Sequence, residues 1–225
     1  MNSDLPKVLH EINGKTLIEH VINTSEKLNA HKIIAIVGYK KEIVQNKLSH
    51  LNIEYAIQSE QLGTGHAIKQ CKKNIENISG DILILSGDVP LISYETLLNL
   101  VENHKKNKSK ASLISAEIED PTGYGRIKRN AKKQFIEIVE HKDANKEELL
   151  INEINAGIYI FDIKTLFNYL SKISNDNKQN EYYLGDVLKH INKNQISVYI
   201  TNNINEISGI NNKEQLNEII KKNTI

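Results

Sequence analysis

Asp88 is the carboxylate of this sequence best placed to work on phosphate. It sits in Gly87-Asp88-Val89-Pro90, just after the apolar run from Ile82 to Leu85. Open α/β sheets bind their ligands at the C-terminal ends of such buried strands. A single Asp completed by phosphate oxygens and water suits Mg²⁺, and the same residue before a proline serves equally well as a plain turn. Gln61-Leu62-Gly63-Thr64-Gly65-His66-Ala67 is a small-residue loop leading into a helix. Its glycines let backbone N–H groups come close to a ligand, and a helix start favours negative charge or a base carbonyl. A helix-entry turn capped by Thr64 is the plainer alternative, and His66 at a helix start reads as structural.

The remaining candidates stand further along the chain. Pro121-Thr122-Gly123-Tyr124-Gly125-Arg126 either holds a sugar by close backbone approach or turns a hairpin. Glu140, at the end of the next strand, and Asn155, just before Gly157, either bind sugar hydroxyls or lie at the surface. Asn211, in Gly209-Ile210-Asn211-Asn212, is a second oxygen ligand for Mg²⁺ or the cap of a last helix. Lys7 by itself reads as solvated surface. The eight histidines show no zinc-type spacing. There is no GxSxG elbow and no cysteine-nucleophile context, so covalent catalysis has little support.

These residues need a scaffold, and the apolar pattern supplies one. Leu17, Ile18, Val21, Ile22 and Leu28 recur at helical spacing from Thr16 to Leu28, and the β-branched run from Ile33 to Val37 ends at Gly38. The alternation continues with a helix from Lys41 to Leu48, a strand from Ile53 to Ile57, a helix after Gly65 and a strand from Asp81 to Leu85. Ser93 caps a helix to about His104 that faces Leu97, Leu98 and Val101 to the core. Helices alternating with short apolar strands predict a parallel sheet covered on both faces. Gly125 to Arg129, then Phe135 to Glu140, predict a small antiparallel insertion that walls a cleft. A strand follows from Ile158 to Phe161, then helices through Leu166 to Leu170 and from Tyr183 to Ile191. Strands near Ser197 to Ile200 and Ile207 to Gly209 and a final helix from Asn212 close the pattern. A doubly wound domain also places a strand and a phosphate-holding loop before its first helix; here that stretch is polar, and no GxGxxG or Walker-type loop occurs.

Bulk properties exclude several classes. At 225 residues and 39% hydrophobic composition the chain supports one sizeable core, which argues against disorder. Its 29 Lys and Arg nearly balance 28 Asp and Glu, so no net field draws it to nucleic acid or an anionic membrane. The single cysteine, Cys71, rules out an internal disulfide framework and points to a reducing compartment, for which cytoplasm is the expectation. No apolar run reaches signal-peptide or membrane-spanning length.

Taken in order, several segments resemble one family. They are Ser3 to His10, Gln61 to Ala67, Gly87 to Leu91, Asp120 to Ile127, Glu140 to Asp143, Ile154 to Ile158, Asn180 to Leu184 and Gly209 to Asn212. Together they resemble the uridyltransferase domain of the bacterial bifunctional N-acetylglucosamine-1-phosphate uridyltransferase and glucosamine-1-phosphate acetyltransferase. The resemblance implies a Rossmann-like α/β nucleotidyltransferase sheet. It also implies Mg²⁺-dependent reaction of UTP with N-acetylglucosamine 1-phosphate, giving UDP-N-acetylglucosamine and pyrophosphate for peptidoglycan and lipopolysaccharide precursors. By matching positions, Gln58, Gly63 and Thr64 read uracil, and Ser86, Gly87 and Asp88 line the nucleotide-sugar site. Asp88 and Asn211 hold Mg²⁺, Gly125, Glu140 and Asn155 contact sugar and ribose, and Lys7 stabilises phosphate charge. Ser86, Ala156 and Gly185 depart from the family, which often carries Tyr, Thr and Thr there.

The family pattern opens on a strand and a glycine-rich loop ending Gly-Thr-Arg-Met, and this sequence opens at that Met. The expectation is therefore one nucleotidyltransferase domain over residues 1–225, incomplete at its N-terminus, with no left-handed β-helix acetyltransferase domain. A homotrimer is expected only where such a β-helix follows. Two alternatives stay open: an inactive remnant or nucleotide-sugar-binding module, and a related nucleotidyltransferase for another sugar phosphate or base.

Overall fold

The computed structural model describes residues 4–210 and 215–216. In chain order the strands are β1 (Glu11–Ile12), β2 (Lys15–Thr16), β3 (Ile34–Val37), β4 (Glu54–Ile57), β5 (Asp81–Ile84), β6 (Ala111–Glu117), β7 (Arg126–Arg129), β8 (Phe135–Val139), β9 (Glu153–Asp162) and β10 (Ile196–Ile200). The helices are α1 (Leu17–Glu26), α2 (Lys41–Lys47), α3 (Thr64–Gln70), α4 (Tyr94–Lys106), α5 (Ile163–Leu170) and α6 (Ile204–Ile207). Their starts have local causes. Thr16 opens α1 with a capping box, its hydroxyl accepting from the Glu19 N–H at 3.3 Å while Glu19 accepts from the Thr16 N–H at 2.7 Å. Ser93 caps α4 by accepting from the Thr96 N–H at 3.1 Å. The buried face of α4 is Thr96, Leu97, Leu100 and His104, so Leu98 and Val101 flank the core rather than face it.

The main sheet runs β10-β6-β9-β7-β8, with β5 also paired to β9. It is mixed rather than parallel: β10 is parallel to β6, but β9 runs antiparallel to β5, β6 and β7. A strand buried on both faces reads as a continuous apolar run in either direction, so periodicity could not reveal that β9 is reversed. The expected antiparallel insertion is β7 and β8, and β9 returns from it to lie between β5 and β6. Alternation along β6 and β9 feeds two cores. Leu113, Tyr159 and Phe161 pack with α5 and the 184–190 turns, while Ile114, Ile158 and Ile160 pack with Leu97 and Leu100 of α4. A separate parallel pair, β3 with β4, closes a third cluster around Leu9, Ile22, Val44 and Leu48. Among the described residues, β3 and β5 each have one edge without a strand partner.

Two further expectations are corrected, and a third lies largely outside the described residues. Residues 184–190 form a 3₁₀ rather than an α-helix, with the i→i+3 bond of the Asp186 N–H to the Tyr183 carbonyl at 3.2 Å; Gly185 disfavours the wider turn. No strand forms from Ile207 to Gly209: α6 ends at Ile207, which is buried in the α4-side core, and Ser208 and Gly209 follow without regular structure. The helix expected from Asn212 falls largely outside the described residues, as does Asn211. One interior polar tie has the residue types of a hydrolytic triad. His104 Nδ1 lies 2.8 Å from the Ser112 hydroxyl and its Nε2 lies 3.3 Å from Asp81. Ser112 is fully buried, so the tie fastens α4 to β5 and β6 and has no access to substrate.

Candidate active site

β5 ends three residues before Gly87, and the turn it enters is anchored by buried Val89 and Ile92. That anchoring leaves Ser86 exposed and Asp88 partly so. Lys7 reaches Asp88 from a 3₁₀ turn pinned by buried Leu9, and the two side chains form an ion pair. The chain crosses the same carboxylate once more at residues 209–210. The Ile210 N–H donates to the Asp88 carbonyl at 3.0 Å, and a Cβ built on Gly209 would stand 3.6 Å from Asp88 Oδ2. The structure thus brings Lys7 to Asp88, with Ser86 and Gly87 beside it in the chain. No group of three or more His, Cys, Asp or Glu able to hold a metal occurs among the described residues. The Asp88 carboxylate nonetheless fits Mg²⁺, which takes few carboxylates and completes its shell with phosphate and water, whereas the Lys7 ammonium has no lone pair and is a partner for phosphate, not a ligand of the metal.

Gln58, Gly63 and Thr64 also meet, at a shallow cavity of about 220 Å³ shared with Gln61, Ala67 and Glu181. Gln58 Nε2 donates to the Gly63 carbonyl at 3.1 Å and lies 3.3 Å from His66 Nδ1, so His66 props Gln58 and does not serve as a base. The helix-entry loop is shaped by chain segment 181–184. The Gly65 N–H donates to the Tyr182 carbonyl at 2.7 Å, the Tyr182 N–H to Leu62 at 2.8 Å, and the Leu184 N–H to the Thr64 hydroxyl at 3.0 Å. Thr64 is thus not the helix cap. Gly63 occupies that position at φ +99°, where a Cβ would come within 2.7 Å of the Tyr182 carbonyl. Its lack of a side chain admits the protein's own backbone.

Gly125, Glu140 and Asn155 form the third group. The Asn155 N–H donates to the Gly125 carbonyl at 2.9 Å, and a Cβ on Gly125 would stand 3.1 Å from Glu140 Oε1. Glu140 lines a cavity of about 360 Å³ together with Asp143, Asp176, Tyr183, Gly185 and Asp186. Burial, then the charges of Asp186 and Asp143, push its carboxyl up to about 7. Arg126 is not a ligand group. It is 1% exposed, and it donates to the carbonyls of Pro121, at 2.6 Å, and Tyr124, folding the 121–125 loop from beneath.

Residues 181–186 were read only as part of a resembling motif ending at Leu184 and as the start of a helix from Tyr183, yet they contribute Glu181 to the smaller cavity and Tyr183, Gly185 and Asp186 to the larger. Sequence reasoning also missed Tyr159, whose hydroxyl accepts from Asn155 Nδ2 at 2.6 Å. No local signal could have shown it, because Tyr159 reads as one more residue of an apolar strand.

Residues 2–219 match the nucleotidyl transferase family. The chain belongs to that family. This nucleotidyl transferase is 46% identical to the bifunctional protein GlmU of Bacillus cereus (strain AH187) over all of its own length and 50% of the relative's. The same identity and shares hold for the GlmU of Bacillus thuringiensis (strain Al Hakam). The chain thus spans half the length of these relatives. Among solved structures it superposes with a TM-score of 0.68 on a UDP-glucose pyrophosphorylase complexed with UDP-glucose, at 21% identity over 83% of this chain and 78% of that one. HddC from Yersinia pseudotuberculosis gives 0.67 at 21% identity, over 99% and 92%. At that identity these likenesses establish the Rossmann-like nucleotidyltransferase fold. No helix among the described residues is long and apolar enough to cross a membrane.

Proposed function

We propose that this nucleotidyl transferase moves UMP from UTP to N-acetylglucosamine 1-phosphate, releasing pyrophosphate. The observation that carries the reading is the grouping of the candidate residues: a shallow hollow at Gln58, Gly63 and Thr64, and an acidic cavity at Glu140, both draw lining residues from segment 181–186. The family match and the 46% identity to GlmU proteins support the same substrates. In this reading an oxygen of the sugar phosphate attacks the α-phosphorus of UTP, that new P–O bond replaces the bond to pyrophosphate, and no covalent enzyme intermediate forms. The chain's tasks are then in-line positioning and charge neutralisation. Asp88, with Asn211, would hold Mg²⁺, which when bound offsets charge on the phosphates. Lys7 supplies a point ammonium to the same phosphates, and its ion pair with Asp88 keeps it at hand. Ser86 and Gly87 line the nucleotide path, and Gly125, Glu140 and Asn155 hold the sugar through its hydroxyls.

Peptidoglycan and lipopolysaccharide precursor synthesis is the setting this product suits. The lone Cys71 fits a reducing cytoplasm.

Pyrophosphate release from UTP and N-acetylglucosamine 1-phosphate, followed with Mg²⁺ and with chelator, tests the reading. Turnover is expected only with Mg²⁺, with UTP preferred over other nucleoside triphosphates, and Asp88→Ala should lower it by roughly 10²-fold or more with the fold retained. Saturable binding without turnover would instead make the chain a nucleotide-sugar-binding module. Unchanged turnover in Asp88→Ala would remove Asp88 from the metal role.

A further inference from the structure

β9 does not run evenly beside β6. Leu113 pairs with Tyr159 and Ser115 with Asn155, so β9 advances four residues where β6 advances two. In a flat strand, residues four apart have Cα atoms roughly 13 Å from each other. Here Ala156, Gly157 and Ile158 bulge out, with Gly157 at φ +72°, and the ends of the bulge close on each other. Asn155 Nδ2 consequently reaches the Tyr159 hydroxyl at 2.6 Å, in a place where the two residues are 8% and 5% exposed.

The direction of that bond is determined. Asn155 Oδ1 accepts from the Gly157 N–H at 3.1 Å, so the amino end of the carboxamide must face Tyr159, whose oxygen accepts. A flipped carboxamide would set its amino group against the half-buried Gly157 N–H, donor against donor. With one Nδ2 hydrogen on Tyr159 and one Oδ1 lone pair on Gly157, a second hydrogen and a second lone pair remain for a ligand. The Tyr159 oxygen lies 3.6 Å from where a Cβ on Gly185 would stand, and Gly185 and Glu140 line the 360 Å³ cavity. Tyr159 therefore stands behind the cavity wall, next to Asn155.

We propose that Tyr159 is a positioning residue: its buried hydroxyl, brought to Asn155 by the β9 bulge, locks the Asn155 carboxamide in the one orientation that serves a sugar oxygen. The sugar's identity rests on the uridyl-transfer reading; the Tyr159–Asn155 bond does not. Nuclear magnetic resonance of the side-chain amides, with Asn155→Ala assigning the signal, tests the bond directly. In the unsubstituted protein one Asn155 amide proton should be shifted and slow to exchange. Tyr159→Phe, which keeps the ring against Phe161, should abolish both features while the rest of the spectrum holds. Kinetically, Tyr159→Phe should raise KM for N-acetylglucosamine 1-phosphate roughly fivefold, as loss of one net hydrogen bond predicts, and leave KM for UTP unchanged. Added to Asn155→Ala, it should cost nothing more. If the Phe variant folds poorly the unsubstituted protein still decides, because an Asn155 amide proton that is unshifted and fast to exchange would overturn the bond. Persistence of the amide signature in Tyr159→Phe, or equal losses for UTP and the sugar phosphate, would overturn the proposal. A protein that neither binds nor turns over the sugar phosphate sinks the uridyl-transfer reading alone, since the amide signature still decides the bond.

Discussion

Glu140 carries the most perturbed carboxyl of the candidate site, held at about 7 by burial and by Asp186 and Asp143. Near neutral pH it is therefore present in both forms, able to donate or accept toward a sugar hydroxyl. Its pKa is raised on folding, so the native state binds more protons than the unfolded chain between the ordinary Glu value near 4.5 and about 7. The associated stability is full below the unfolded value and is lost as pH rises through about 7. Glu140→Gln should remove this dependence. In denaturant titrations at several pH values, the variant should gain on the unsubstituted protein by on the order of 2 kcal/mol between acidic and mildly alkaline pH. A constant difference across that window would mean that the carboxyl titrates normally. At this scale Asp88 was legible because open α/β sheets bind ligands after a buried strand and its motif matched a family, whereas the raised Glu140 carboxyl was not, since it depends on burial and on Asp186, distant in sequence, as well as on nearby Asp143.

The Ser93 cap and most strand runs were legible at the scale of elements because their causes are local, as in the bond of Ser93 with Thr96. The reason for the glycines was not. Gly63 and Gly157 both sit at positive φ, but only Gly63 is also crowded, its Cβ position lying 2.7 Å from the Tyr182 carbonyl, while nothing lies within 4 Å of that of Gly157. Gly157→Ala should therefore cost about 1 kcal/mol, the left-handed penalty alone. Gly63→Ala should cost about 3 kcal/mol and also weaken nucleotide binding, because the 181–184 segment must move away from α3. Urea midpoints and nucleotide titrations of the two variants check the contrast. Equal costs would show that segment 181–184 yields freely.

At the scale of the whole molecule, Cys71 reports on global opening. It is 3% exposed, and burial pushes its thiol up to about 11. A thiol reagent at mildly alkaline pH should leave the native protein unmodified and label one thiol per chain in denaturant. Rapid native labelling would place a local opening at the end of α3. By itself the sequence determined the α/β class, the Ser93 cap and the antiparallel insertion, and it singled out Gln58, Gly63, Thr64 and Glu140 among the residues that line the two cavities, because these follow from periodicity, capping chemistry and matched motifs. Only the tertiary structure decided that β9 runs antiparallel between β5 and β6, that its bulge ties Asn155 to Tyr159, and that residues 181–186 join the two cavities. Each of these depends on contacts between segments distant in sequence, and a buried strand has the same apolar pattern whichever way it runs.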